Sequence, residues 1–246
     1  MWEPVSIPFQ SDSLSLPLPL PTIDEIRTCP NILWECYSSK VVAVNDAVVV
    51  KFGRMVDASE GQALIYLERY APEIPAPRLY AMFKSSSEIF LIMQRAPGIQ
   101  LDKIWPSLTE SEKIDISIKL RQVFDDMQQV KCPWPDFFGD LGGGGVQDHL
   151  FYSPDTANRY LGPFYGEAAF IAGFIDDQSG RSFDIILVDW ANAGWYPGYW
   201  EFFRAASPMG FEYGEDDWFW RAQEFLQVWP AELALMRMID KDNRGY

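Results

Sequence analysis

The run Ala47-Val48-Val49-Val50-Lys51-Phe52-Gly53 constrains the fold more than any other segment, because consecutive β-branched residues select an extended strand and one charge stands inside it. A lysine there either carries its ammonium out to water along its own stem or needs a carboxylate beside it, since an unpaired buried charge is costly. Upstream, Lys40 to Asn45 is a second β-rich run. The turn dipeptide Asn45-Asp46 separates the two, so together they read as a hairpin.

The segments that follow extend this pattern. Asp57 or Ser59 can cap a helix running to about Tyr70, with Ala63, Leu64 and Leu67 at helical spacing. That helix carries Glu60 in its first turn, where it can answer Lys51. Beyond Ala76-Pro77-Arg78, the runs Arg78 to Lys84 and Glu88 to Gln94 form another antiparallel pair around Ser85-Ser86-Ser87. Residues 1–22 are Ser/Pro/Leu-rich and read as an extended arm, followed by a helix from Ile23 to about Trp34.

After Ala96-Pro97-Gly98 the pattern turns helical. Ser107 or Thr109 opens a long segment to about Val130, a Gly/Pro-rich loop covers 131–148, and Asp184 to Val188 is strand-like. Helices are expected at about 199–206, 215–227 and 230–240. The expected class is therefore α+β: an arm (1–22), an antiparallel-sheet N-lobe (23–94) and a mostly helical C-lobe (95–246).

Composition removes several classes of function. With 20 Lys and Arg against 35 Asp and Glu, the net charge of −15 repels nucleic acid and anionic membrane surfaces. Cys29, Cys36 and Cys132 show no CxxC spacing and read as reduced thiols, pointing to the cytoplasm. The first residues lack a basic, unbroken apolar leader, and no run approaches the roughly 20 apolar residues of a membrane span. Gly142 to Gly145 is followed by no Lys-Ser/Thr, so it reads as a connector rather than a phosphate loop. The acids from Glu212 to Asp217 suit a helix start, although such a surface can also receive an amine.

A sharper constellation is Asp184-Ile-Ile-Leu-Val-Asp189-Trp190, continuing through Ala193-Gly194-Trp195-Tyr196-Pro197 to Tyr199-Trp200-Glu201. A carboxylate at the end of an apolar strand can present a magnesium ligand, or simply cap the turn that follows. The segment resembles the signature of fungal-type aminoglycoside phosphotransferase-like proteins, which runs roughly I-I-D-W-E-x-A-G-W-Y-P-x-Y-W-E. Val50-Lys51-Phe52-Gly53, Ser59-Glu60, Pro75-Ala76-Pro77, Ile92-Met93 with Pro97-Gly98, and Trp105-Pro106-Ser107-Leu108 fit the same family, so the likeness spans about residues 40–205.

The resemblance implies a bilobal kinase-like fold that uses ATP and magnesium to phosphorylate a small-molecule hydroxyl. Under it Lys51 would hold the α/β-phosphates, Glu60 would orient Lys51, and Asp189 would bind the metal. Met93 to Ala96 would offer backbone groups to the adenine.

One family element is missing: the string H-G-D-x-x-x-x-N, which supplies a base Asp and a metal-binding Asn. The single histidine, His149, lies in Gln147-Asp148-His149-Leu150 with no Gly-Asp after it. In one alignment Tyr165-Gly166-Glu167 takes the place of H-G-D, making Glu167 a substitute base, with Ala172 where the Asn belongs. In the other, Gly162-Pro163-Phe164 through Phe170 matches the upstream G-P-F-x-x-E-x-x-F segment and the catalytic loop is deleted. The second keeps an ungapped Gly-Pro-Phe and is the better match.

Losing a general base costs about two to four orders of magnitude in rate. The expected function is thus a family protein with impaired phosphoryl transfer. The alternatives are a noncatalytic pseudokinase-like binding module and a gene product lacking an internal segment. Expected partners are a nucleotide and a small-molecule acceptor that the residues do not name.

Overall fold

The computed structural model describes residues 2–12, 17, 19–146, 164–165, 185–206 and 218–244. Two compact units are present, Met1–Gly98 with Ile186–Ala193, and Ile99–Ile185 with Gly194–Tyr246. The architecture is α+β, with a six-stranded antiparallel sheet in the first unit and helices dominating the second.

In the first unit the strands are β1 (Phe9–Gln10), β2 (Ile32–Cys36), β3 (Ser39–Ala43), β4 (Val48–Gly53), β5 (Leu79–Ser85) and β6 (Glu88–Gln94). Their order across the sheet is β1-β5-β6-β4-β3-β2. The β3–β4 hairpin is closed by Asn45, whose side-chain oxygen accepts from the backbone N–H of Ala47 and Val48 at 2.8 and 2.9 Å. This Asx turn is what the Asn-Asp dipeptide signalled. The pair β5–β6 turns at Ser86, a non-glycine residue at φ 56°.

Strand alternation sends side chains to two faces. On one face Val48, Val50, Phe52, Phe90 and Ile92 pack with Ile26 of helix α1 (Ile23–Thr28). Phe52, Phe90 and Phe83 form a continuous stack there, with centroids 5.2 and 5.1 Å apart. The opposite face carries helix α2 (Ala58–Tyr70), which Asp57 caps by accepting from the Ser59 N–H at 2.7 Å. At Gly61 a Cβ would lie 2.7 Å from Met82 Sδ and 3.1 Å from Leu91 Cδ2, so the glycine lets the helix lie directly on the sheet.

Four expectations are corrected. The helix from Ile23 does not reach Trp34: it ends at Thr28, because Cys29 precedes Pro30 and takes an extended backbone, and Ile32–Cys36 becomes an edge strand on β3. The arm is more than a surface tail, since Phe9 and Gln10 pair with Met82 and Ala81 and Trp2 is buried against Tyr66. Residues 185–188 form no strand, and the loop expected at 131–148 contains a short strand at Phe137–Asp140.

The second unit contains α3 (Leu101–Ile104), a 3-10 turn at Trp105–Ser107, and α4 (Glu110–Gln129) with a Thr109/Glu112 capping box. The short strands β7 (Phe137–Asp140), β8 (Phe164–Tyr165) and β9 (Gly194–Trp195) form a sheet in the order β8-β7-β9. Helices α5 (Trp200–Ala206), α6 (Trp218–Phe225) and α7 (Pro230–Arg244) complete it. Arg121 donates to the Glu224 carbonyl at 2.5 Å and Ser117 to the Glu224 carboxylate at 3.0 Å, tying α4 to α6. No helix among the described residues is long and apolar enough to cross a membrane.

Candidate functional site

Lys51 sits on β4 opposite Leu91, on the face that α2 covers. Its neighbours Val50 and Phe52 point into the aromatic core on the other face. The choice left open by the sequence is settled by geometry. Lys51 Nζ lies 2.7 Å from Glu60 Oε2 and 2.6 Å from Asp189 Oδ1, with 15% of its side chain exposed.

The two carboxylates differ in environment. Glu60 is 4% exposed, and the Lys51 ammonium 2.7 Å from its Oε2 is its counter-charge. Burial pushes its carboxyl above the ordinary value, more than Lys51 draws it down. For Lys51 burial is also the largest single influence and acts downward, but Glu60 and then Asp189 together outweigh it and hold the ammonium above its usual value. The two partners thus shift in the same direction. With two carboxylates facing it, the Lys51 ammonium is held in its charged form.

Asp189 is 69% exposed and stands at φ 65°, a left-handed backbone that a non-glycine residue adopts only when its surroundings hold it there. They do so from both sides. Two residues before it, the Leu187 N–H donates to the Pro75 carbonyl at 2.7 Å. Two residues after it, the Ala191 carbonyl accepts from Ser59 Oγ at 2.9 Å. Within the loop, Trp190 Nε1 donates back to the Leu187 carbonyl at 3.1 Å and the Ala193 N–H to the Trp190 carbonyl at 3.1 Å.

Met93 lies on β6 between Leu79 and Val49, 7% exposed, on the same sheet face as Lys51. The next two backbone donors are engaged, Gln94 N–H with the Arg78 carbonyl and Arg95 N–H with the Ala47 carbonyl, at 2.8 and 2.9 Å. The Met93 side chain is thus buried, and the N–H groups of the two residues after it are taken up by the sheet. Glu167 lies outside the described residues, as do His149, the Phe174–Asp177 run and the Glu212–Asp217 acids.

The site gathers Lys51, Glu60 and Asp189 and adds one residue with a role the sequence did not assign. Ser59 was a candidate helix cap; Asp57 takes that role and leaves the Ser59 hydroxyl for the Asp189 loop. Magnesium takes oxygen ligands and commonly uses one or two carboxylates plus nucleotide phosphates. The single exposed carboxylate of Asp189 fits a metal carried in that way. Among the described residues no cluster of three or more His, Cys, Asp or Glu could hold a metal unaided.

No protein-family model matches the chain, and no curated protein matches it. Solved structures it is similar to include aminoglycoside phosphotransferases. One is APH(4)-Ia, at 18% identity and TM-score 0.36, covering 48% of this chain and 40% of that one. Another is a streptomycin–ATP–APH(2'')-IIa ternary complex, at 20% identity and TM-score 0.34, covering 42% and 36%. A third is ADP-bound APH(2'')-Ib, at 19% identity and TM-score 0.34, covering 42% and 35%. The chain spans less than half the length of each of these structures.

Proposed function

We propose that this chain is a kinase-like protein of the aminoglycoside phosphotransferase type that binds ATP with magnesium and transfers phosphate to a small-molecule hydroxyl slowly or not at all. The observation that carries this reading is the ammonium of Lys51, kept charged in a mostly buried place by Glu60 behind it and the exposed Asp189 beside it. A structural ion pair needs no exposed third member.

In this reading Lys51 receives α/β-phosphate oxygens, Glu60 fixes the direction of the ammonium, and Asp189 exchanges the lysine for a metal ion. Magnesium held by Asp189 would neutralise phosphate charge. Backbone groups of the Met93 to Ala96 stretch would meet the adenine, other than the Gln94 and Arg95 N–H groups, which already serve the sheet.

Transfer requires a bond from the acceptor oxygen to the γ-phosphorus, cleavage of the bond to the departing diphosphate oxygen, and a base for the acceptor proton. The sequence supplies no H-G-D-x-x-x-x-N string for that last task, and Glu167 is the one substitute its spacing offers. The same lack favours a second reading, a nucleotide-binding module without turnover.

Labelled-phosphate transfer from ATP to hydroxylated amines, measured beside ATP binding, tests the proposal. Binding with turnover at or near background is the expected result. Robust turnover abolished by Glu167→Gln would make the chain an active enzyme with Glu167 as base. A folded chain that binds no nucleotide would refute the proposal.

A further inference from the structure

Ser59 and Glu60 are neighbours in the first turn of α2, yet their side chains serve different parts of the site. Glu60 reaches Lys51, whereas Ser59 Oγ reaches the Ala191 carbonyl, 132 residues along the chain. We infer that Ser59 is a positioning residue that sets the Asp189 carboxylate for a metal–nucleotide complex. This inference rests on the function proposed above.

Asp189 occupies a left-handed backbone, which for a residue other than glycine must be imposed by its surroundings. On either side of Asp189 the loop is bonded through Leu187 to Pro75 and through Ala191 to Ser59. The first is a bond between main chains and persists whatever the side chains are. The second is made by a hydroxyl. Without it the Asp189 loop keeps its upstream tether and loses the downstream bond two residues from Asp189, so the carboxylate gains freedom even though Gly194 stays paired with Asp140.

Lys51 keeps its place on β4 and its contact with Glu60 of the helix, and only its second contact, with Asp189, feels that loss. Nor does the helix lose its cap, which is Asp57 acting on the Ser59 backbone N–H rather than on its hydroxyl. Binding that depends on the lysine and binding that depends on the metal should therefore separate.

The test compares Ser59→Ala and Ser59→Thr with the native chain by calorimetry, titrating ATP with and without magnesium. The expected result for Ser59→Ala is metal-free affinity within about twofold of native and a loss of about five- to tenfold in the affinity gained on adding magnesium, because one hydroxyl bond of ~1 kcal/mol is removed. Ser59→Thr keeps the hydroxyl and should restore the gain to within about twofold. An unchanged magnesium gain in Ser59→Ala, or equal weakening with and without the metal, would overturn the inference.

Amide exchange supplies a readout that needs no ligand. Ser59→Ala should speed exchange of the Ala193 N–H, bonded within the loop, relative to the Ser59 N–H at the helix cap. No change there would also overturn it. A native chain that binds no ATP but shows this exchange effect would sink the proposed function while leaving the anchoring role of Ser59 in place.

Discussion

Replacing Lys51 by methionine keeps the aliphatic stem and removes the charge, leaving Glu60 buried with no cation. Removing one member of a buried pair typically costs about 3–5 kcal/mol. Lys51 retains some exposure and Asp189 is largely in water, so the lower end applies, about 3 kcal/mol at pH 8. The loss should depend on pH. Burial already raises the Glu60 carboxyl above its ordinary value, and Lys51 is what draws it down, so the substitution raises it further. An acid raised in the folded state contributes stability that is full below its unfolded value and is lost as pH rises through the folded value. Urea unfolding at pH 5.5 and 8 should therefore show a larger loss at pH 8, by about 1 kcal/mol or more. Adding Glu60→Gln to Lys51→Met should recover most of the difference. A loss below about 0.5 kcal/mol at pH 8, or one independent of pH, would refute the claim that Lys51 neutralises a buried Glu60.

Three further substitutions probe the two units. Burial pushes the Glu201 carboxyl up to about 7 and its Oε2 is buried without a hydrogen-bond partner, so its contribution is full below the ordinary value of 4.5 and lost as pH rises through about 7. Glu201→Gln should accordingly stabilise the chain by roughly 2 kcal/mol more at pH 8 than at pH 5 in chemical denaturation, and equal effects would contradict this. Gly53 stands at φ 142° with the Ser38 carbonyl oxygen 2.0 Å from where a Cβ would lie, so Gly53→Ala should lower stability by about 3 kcal/mol. Gly98→Ala, at φ 104° with open space around it, should cost about 1 kcal/mol, and equal losses at the two positions would remove the steric explanation.

What the sequence revealed follows the range of the interactions concerned. The Asn45 turn, the Asp57 cap and the Thr109 capping box act within a few residues, so the β3–β4 hairpin, α2 and α4 were legible. The Lys51–Glu60 pair was legible because a charge in an apolar strand demands a partner and the next helix offered one. Helix α1 was read too long although Pro30 marks its end; the apolar Ile32-Leu33-Trp34 looked like a continuing helical face and is instead an edge strand. The pairing of Phe9–Gln10 with β5 and the bond from Ser59 to Ala191 leave no local trace, since each depends on segments far apart in the chain. The Asp184 to Val188 run was read as a strand from its β-branched content, but propensity does not supply a ladder partner, and residues 185–188 have none among the described residues.

A structure determined with a non-hydrolysable ATP analogue and magnesium tests the central claim most directly. Lys51 Nζ should keep its contact with Glu60 and lie about 3 Å from an α- or β-phosphate oxygen. Asp189 should have exchanged the lysine for the metal ion. An analogue bound elsewhere, with Lys51 still paired to Asp189 at 2.6 Å, would contradict the account.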